Sequence, residues 1–263
     1  MKLVKPKKHL GQHFLKDQDV ALAIVDALAL TDKYKNVLEI GPGMGVLTQY
    51  LLQNNNYQTH VIDIDTESVQ YLREAYVDTG LKIIEGDFLK ADFTQLLSLQ
   101  EGEQFAVIGN FPYNISTQII FKILENRPFV PEVVGMFQKE VAERYAAKHG
   151  SKVYGITSVL TQAYYNIEYL MTVDATLFDP PPKVQSAVIR LTRKEHLEVE
   201  CNETMFYKVV KTAFNQRRKT LRNALKALGI NYNNIDEVTL GKRAEQLSVA
   251  QFIDLTNTLE GNK

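Results

Sequence analysis

Val37-Leu38-Glu39-Ile40-Gly41-Pro42-Gly43-Met44-Gly45-Val46 runs from an apolar stretch directly into alternating glycines. A short apolar run that stops at glycine reads as a buried strand, and Leu47 and Leu51 beyond the turn read as one face of a helix. Absent side chains let a ligand approach the turn's backbone and the first amides of that helix, where partial positive charge collects. The spacing argues against NAD. A dinucleotide fingerprint puts glycine at the first, third and sixth positions of the turn, and the sixth here is Val46.

The same alternation continues outward. Upstream, Asp17 can cap a helix in which Val20, Ile24, Ala27 and Leu28 recur at helical spacing. Downstream, apolar runs predict strands at 59–64, 81–85, 105–108 and 132–137. Between them fall a helix over 66–77 and another that Ser116 can cap, burying Ile119, Ile120, Ile123 and Leu124. Strand, crossover and strand predict an α/β fold with a mostly parallel sheet and right-handed connections. Past Gln138 come helices through Val141 and Tyr145 and over 155–165, then strands near 168–173 and 184–192 that can extend one sheet edge. From Glu203 on only helical periodicity remains, in Phe206, Val209, Val210 and Phe214, in Leu221, Leu225 and Leu228, and in Val249, Phe252, Ile253 and Leu259. The pattern predicts a sheet domain at 1–192 and a small all-helical domain at 203–263, joined by the polar stretch 193–202.

With 263 residues, 45% of them hydrophobic and 23% charged, the chain can bury a full core. No apolar run approaches the roughly 20 residues that span a bilayer, and the first residues lack the apolar centre of a signal peptide. A soluble cytoplasmic protein is expected. The single cysteine, Cys201, excludes an internal disulfide and a multi-cysteine zinc site, and Glu198, Glu200 and Glu203 beside it disfavour a thiolate. A net charge of −1 hides two acid-free basic blocks. Lys2, Lys5, Lys7, Lys8 and Lys16 form one, and Lys208, Lys211, Arg217, Arg218, Lys219, Arg222 and Lys226 the other. Such blocks suit a polyanion, although most charge runs are solvated faces.

Candidate site residues fall where the strands end. Asp63 closes the second strand, and a carboxylate there can accept from both hydroxyls of a ribose. Asp87 follows the third and can accept from an adenine amine, with Phe88 or Ile64 packed on the ring. Either acid alone would more commonly be a turn residue or helix cap. After the fourth strand stands Asn110-Phe111-Pro112-Tyr113. The exocyclic nitrogen of adenine is a poor nucleophile because its lone pair is delocalised into the ring. The Asn110 side-chain oxygen and the Pro112 carbonyl can draw its hydrogens aside while Tyr113 stacks on the base. The plainer reading is a strand-to-helix turn.

Glu39-x-Gly41-x-Gly43-x-Gly45 resembles the first motif of class I S-adenosylmethionine-dependent methyltransferases, and Asn110 to Tyr113 resembles the amino-methyltransferases of adenine N6. Lys8-His9-Leu10-Gly11-Gln12-His13-Phe14-Leu15, Asn114-Ile115-Ser116-Thr117, Phe178-Asp179-Pro180-Pro181-Pro182-Lys183-Val184-Gln185-Ser186 and Phe214-Asn215-Gln216-Arg217-Arg218-Lys219-Thr220-Leu221 narrow the likeness. Together, from about Lys7 to the last helices, they resemble the ribosomal RNA adenine dimethyltransferase family.

The resemblance implies a Rossmann-like class I sheet with a helical RNA-binding domain, S-adenosylmethionine as cofactor and S-adenosylhomocysteine as product. It implies dimethylation of two adjacent adenines in a hairpin loop near the 3′ end of 16S rRNA, within the 30S subunit or its precursor. It places His13, Leu15, Glu39, Gly41, Gly43, Asp63, Ile64, Asp87, Phe88 and Asn110 in the cofactor site, and Asn110, Pro112 and Tyr113 at the chemistry. Phe178 is expected on the target base beside Tyr113. Lys7, Lys8, Arg217, Arg218, Lys219 and Arg222 are expected on phosphates, the last four from a helix. His13 stands where many relatives have Asn, and Phe111 where many have Leu; the latter should matter least, since the chemistry uses its neighbours. No metal or covalent nucleophile is needed, and nothing suggests more than a monomer. Three other readings stay open: a large-subunit rRNA dimethyltransferase of the resistance type, a ribosome-assembly factor without chemistry, and a DNA adenine methyltransferase.

Overall fold

Glycine at position 109 allows a close backbone approach between neighbouring strands, because a Cβ there would stand 2.6 Å from the Ile40 carbonyl oxygen. A computed structural model describes residues 4–229 and 234–261, so Lys2 and the last two residues of the expected helical domain lie outside it. In chain order the strands are β1 (Phe14–Leu15), β2 (Asn36–Ile40), β3 (Gln58–Asp63), β4 (Lys82–Glu85), β5 (Phe105–Asn110), β6 (Glu132–Gln138), β7 (Tyr165–Val173), β8 (Phe178–Asp179) and β9 (Ser186–Arg193). Seven form one sheet in the order β4-β3-β2-β5-β6-β9-β7. β4, β3, β2, β5 and β6 pair in parallel, and β9 adds antiparallel to β6. The order reverses between β2 and β5, and open α/β sheets bind ligands at such a switch point.

The central strands are buried runs, Phe105 to Ile108 on β5 and Val133 and Val134 on β6 among them, as expected where both sheet faces are covered. Helix Gln18–Asp26 buries Ala21, Ile24 and Val25, and Asp17 caps it by accepting from Val20 N at 2.9 Å. Helix Ser116–Glu125 buries Ile119, Ile120, Ile123 and Leu124 as the spacing predicts. Its cap differs: Ile115 holds that position, and Ser116 donates its hydroxyl to the Tyr113 carbonyl at 3.3 Å. The ribbon β1–β8, with Leu15 opposite Phe178, has no sequence signal, since two residues are too few for periodicity.

The chain divides into two units. One holds the residues up to Ala142 with Glu168–Arg193, and the other Glu143–Ile167 with the residues from Lys194 on. Residues 143–167, expected in the sheet domain, therefore belong to the helical unit. Their aromatics explain the change. Tyr164 donates to Glu203 Oε1 at 2.8 Å, and Tyr154 stands edge-on to Phe214 with ring centroids 6.1 Å apart. In that unit, helix Glu203–Asn215 buries Phe206, Val209, Val210 and Phe214, and helix Val249–Glu260 buries Phe252 and Leu259.

Phe111 is a packing residue whatever its neighbours do chemically. Its ring is 1% exposed and lies edge-on to Phe137, 5.1 Å between centroids. Gly135 makes room for both, since a Cβ there would meet Phe137 at 2.7 Å and Phe111 closer still. Gly135→Ala should therefore cost about 1–3 kcal/mol in chemical denaturation, through overpacking. Phe111→Leu should recover part of that loss in a double-mutant cycle, and additive effects would contradict the contact.

Candidate active site

The turn after β2 takes positive φ at Gly41 (64°) and Gly43 (56°), which side-chain-bearing residues rarely adopt. Gly41 N donates to Ile62 O at 3.0 Å and Gly43 N to Asp63 Oδ2 at 3.4 Å, so the turn is hung from β3. Glu39 does not line the cavity expected for it. Only 1% exposed, it accepts from Thr48 Oγ1 at 2.5 Å, and burial pushes its carboxyl up to about 8. It braces the turn from beneath.

A cavity of about 200 Å³ opens where β2, β3 and β4 end, and Gly41, Asp63, Ile64, Asp87, Phe88 and Pro112 all face it. Asp63 is buried, accepts from Asp65 N at 2.9 Å, and is pushed by burial up to about 6. Ile64 is 57% exposed and presents an apolar face. Asp87 lines the cavity and also caps a short 3₁₀ turn, accepting from Leu89 N at 2.9 Å. The capping bond does not remove it from the cavity wall.

The N-terminal segment supplies the remaining wall through His9, Leu10 and Gln12. Lys7 anchors it. Expected on phosphate, Lys7 instead pairs with Asp65 and stands 3.4 Å from Glu67. Gln12 donates to Asp65 Oδ2 at 3.2 Å, and Asn114 donates to the His9 carbonyl at 3.1 Å. Burial works to raise the Asp65 carboxyl, but the hydrogen bonds from Lys7, Gln12 and the Glu67 amide hold it below the usual range. Gln12 and Asn114 stand in the quoted motifs with no individual role assigned to them, and Asp65 reads in the sequence as an ordinary polar residue.

Asn110 ends β5, and its Nδ2 donates to the His13 carbonyl at 2.8 Å. A carbonyl can only accept, so the Asn110 Oδ1 is the end left for another donor. The Pro112 carbonyl already accepts from Ile115 N at 3.1 Å and keeps its second lone pair. Tyr113 shares a 2.5 Å hydrogen bond with Ser186 Oγ and stacks on the His13 ring, 5.4 Å between centroids at 28°. Burial raises the Tyr113 phenol, against the opposing Ser186 bond, so it stays protonated.

His13 lines the cleft around Asn110 and Tyr113 rather than the cavity of Asp63. Its Nδ1 lies 2.7 Å from the Pro180 carbonyl, which requires the proton on that nitrogen. Leu15 and Phe178 reach neither space. They are 4% and 1% exposed, paired across the ribbon and packed in the core.

In the helical unit the expected basic helix is interrupted. Helix Glu203–Asn215 ends before Arg217, Arg218 and Lys219, and Arg222 lies in the next short helix, Leu221–Ala224. Arg217 donates to the Lys152 carbonyl and stands 3.9 Å from Glu245, while Arg222 pairs with Glu237. Arg218 and Lys219 are exposed. Among the described residues no acidic, histidine or cysteine cluster suits a metal ion, and no helix is long and apolar enough to cross a membrane.

Sheet order, glycine turn and the carboxylates at the strand ends define a class I methyltransferase fold. The model of the ribosomal RNA adenine dimethylase family matches residues 4–261, and the chain belongs to that family. Ribosomal RNA small subunit methyltransferase A of Cytophaga hutchinsonii is 60% identical over 261 residues, 99% of this chain and 100% of that protein. Its counterpart in Flavobacterium johnsoniae is 57% identical, covering 100% of this chain and 98% of the relative. A dimethyladenosine transferase from Plasmodium falciparum superposes with a TM-score of 0.79 at 26% identity, over 95% of this chain and 98% of its own.

A methyltransferase of this class takes a cofactor of the S-adenosylmethionine type, and the cavity fits one. It offers the carboxylates of Asp63 and Asp87 as hydrogen-bond acceptors and apolar surface at Ile64 and Phe88. Of the glycine turn only Gly41 faces it, the space beside Gly43 being filled by Phe14, which a Cβ there would meet at 2.8 Å. Burial pushes the Asp63 carboxyl up to about 6. Above that pH the ionised form prevails and offers both oxygens as acceptors to a diol, while the neutral form turns one oxygen into a donor. Calorimetry with S-adenosylhomocysteine should show affinity level near about pH 8 and falling up to about tenfold per unit below the Asp63 transition. Asp63→Asn should be weak throughout and lack this dependence. The stability of the free protein has the opposite sign: a raised carboxyl favours the fold at low pH, and that contribution is lost as pH rises from about 3.8 to about 6.

Proposed function

We propose that this chain dimethylates N6 of two adjacent adenines in the hairpin loop near the 3′ end of 16S rRNA. The donor is S-adenosylmethionine, and the substrate is the small subunit or its precursor. The enzyme acts as a cytoplasmic monomer. The observation that carries this reading is the Asn110 amide, turned by the His13 carbonyl so that its oxygen is the end available beside Pro112, next to the Asp63 cavity.

When bound, the cofactor supplies a methyl group already activated by its sulfonium, so the protein's work is positioning and electrostatics. Asn110 Oδ1 and the Pro112 carbonyl accept the two N6 hydrogens and localise the nitrogen lone pair. Tyr113, fixed by Ser186, provides the stacking face. After one methyl is added a single N6 hydrogen remains, so the singly methylated base must rotate or rebind before the second transfer. Phe178, buried in the core, supports the pocket only through the ribbon it shares with Leu15.

Asn110→Ala should lose about 3 kcal/mol of transition-state stabilisation, roughly a hundredfold in rate, while calorimetry shows cofactor affinity retained. Near-normal turnover would remove Asn110 from the chemistry. Parallel assays on small subunits and on large-subunit rRNA separate this reading from the resistance-type alternative.

Phosphate contact falls to the exposed cations. Arg218→Ala and Lys219→Ala should each reduce the salt slope of subunit binding by about 0.7–0.9. Arg217→Gln should leave that slope unchanged and lower the melting temperature, since its guanidinium is engaged within the helical unit. The reverse pattern would return Arg217 to the RNA interface.

A further inference from the structure

Beside the cleft of Asn110 lies a wider recess of about 600 Å³, lined by Tyr113 and His13, by the loop 180–184, and by Lys8, Asn114 and Gln138. We infer that this recess is a second nucleotide subsite, holding the nucleotide next to the adenine under reaction, its phosphate on Lys8 and Lys183 and its base against Val184 and the prolines. The inference rests on the proposed function and says where the rest of the dinucleotide goes.

A nucleotide asks a protein for a cation at its phosphate, an apolar surface for its base and polar groups at the base edge. The recess has all three. Lys8 and Lys183 are exposed and form no ion pair with a described residue, whereas Lys7 next door is held by Asp65 and Glu67. Val184 is 43% exposed, and the side-chain amide of Gln138 makes no hydrogen bond to a described residue. The wall shared with the reacting cleft is fixed at both ends. Ser186 holds the Tyr113 hydroxyl, the Pro180 carbonyl holds His13, and the two rings stack. A rigid aromatic partition of this kind can keep two neighbouring bases apart, as single-stranded RNA readers do with splayed bases.

The two adjacent adenines necessarily offer different neighbours to one recess. A subsite lesion should therefore affect them unequally, whereas loss of a remote phosphate contact should weaken both alike. Lys183→Ala and Val184→Asp are surface changes, and unchanged cofactor affinity will verify the fold. On small subunits lacking the modification, each should lower kcat/KM about tenfold and shift the ratio of methyl groups between the two adenines. Arg218→Ala, as the comparison, should lower both in proportion. An unchanged rate, or a proportional loss in the subsite variants, overturns the inference. Should the wild-type chain leave small-subunit adenines unmethylated, the functional reading fails, and binding of a labelled oligoadenylate decides the recess separately. Weaker binding by Lys183→Ala supports the subsite, and unchanged binding overturns it.

Discussion

The site depends on the backbone approach between β2 and β5. Glu39 pairs with Ile108, and one residue further on the Ile40 carbonyl stands where any Cβ at position 109 would be. Glycine there lets the glycine turn and Asn110 leave adjacent strands side by side. This is the switch point of the sheet, so the cavity at Asp63 and the cleft at Asn110 open side by side, with Pro112 lining both. A larger residue at 109 would force the strands apart, and the gap would open between donor and acceptor, where tolerance is smallest.

The N-terminal segment completes both halves from outside the sheet. Its Lys7 and Gln12 converge on Asp65, which also caps helix Thr66–Ala75 by accepting from the Glu67 amide. Asp65 lies two residues after Asp63, so the same turn carries a carboxylate that lines the cavity and the anchor of the cavity wall. Further along, the His13 carbonyl sets the Asn110 amide and the His13 ring sets Tyr113. His13 is accommodated because the loop after β8 offers the Pro180 carbonyl to its Nδ1. The site is thus assembled from the ends of parallel strands, the N-terminal segment and the loop after β8, and the last two lie outside the parallel sheet.

Residues whose role depends on local pattern were legible in the sequence. The glycine turn, the acids at the ends of β3 and β4, and Asn110 at the end of β5 all follow from strand periodicity and the edge at which such sheets bind ligands. Residues whose role depends on long-range pairing were not. Glu39 belongs to the motif by sequence yet turns to Thr48, and Phe178 belongs to a motif yet packs inward opposite Leu15. Ser186 stands in a quoted motif, yet its bond to Tyr113 had no signal, because the partner lies 73 residues away. The division at 143–167 was missed for a related reason: helical periodicity says that a segment has an apolar face, and not which unit covers it.

The basic residues show the same limit most clearly. A count of charge along the chain treats Lys7, Arg217 and Arg222 like Lys8, Arg218 and Lys219, yet the first three have acidic partners and the others are exposed with none among the described residues. A cation already paired in the free protein must break that pair to reach a phosphate, which cancels much of what it would gain from releasing counterions. The near-neutral net charge then has a simple consequence. The salt dependence of RNA binding should follow the exposed cations that have no acidic partner among the described residues, rather than the formal charge of the basic blocks.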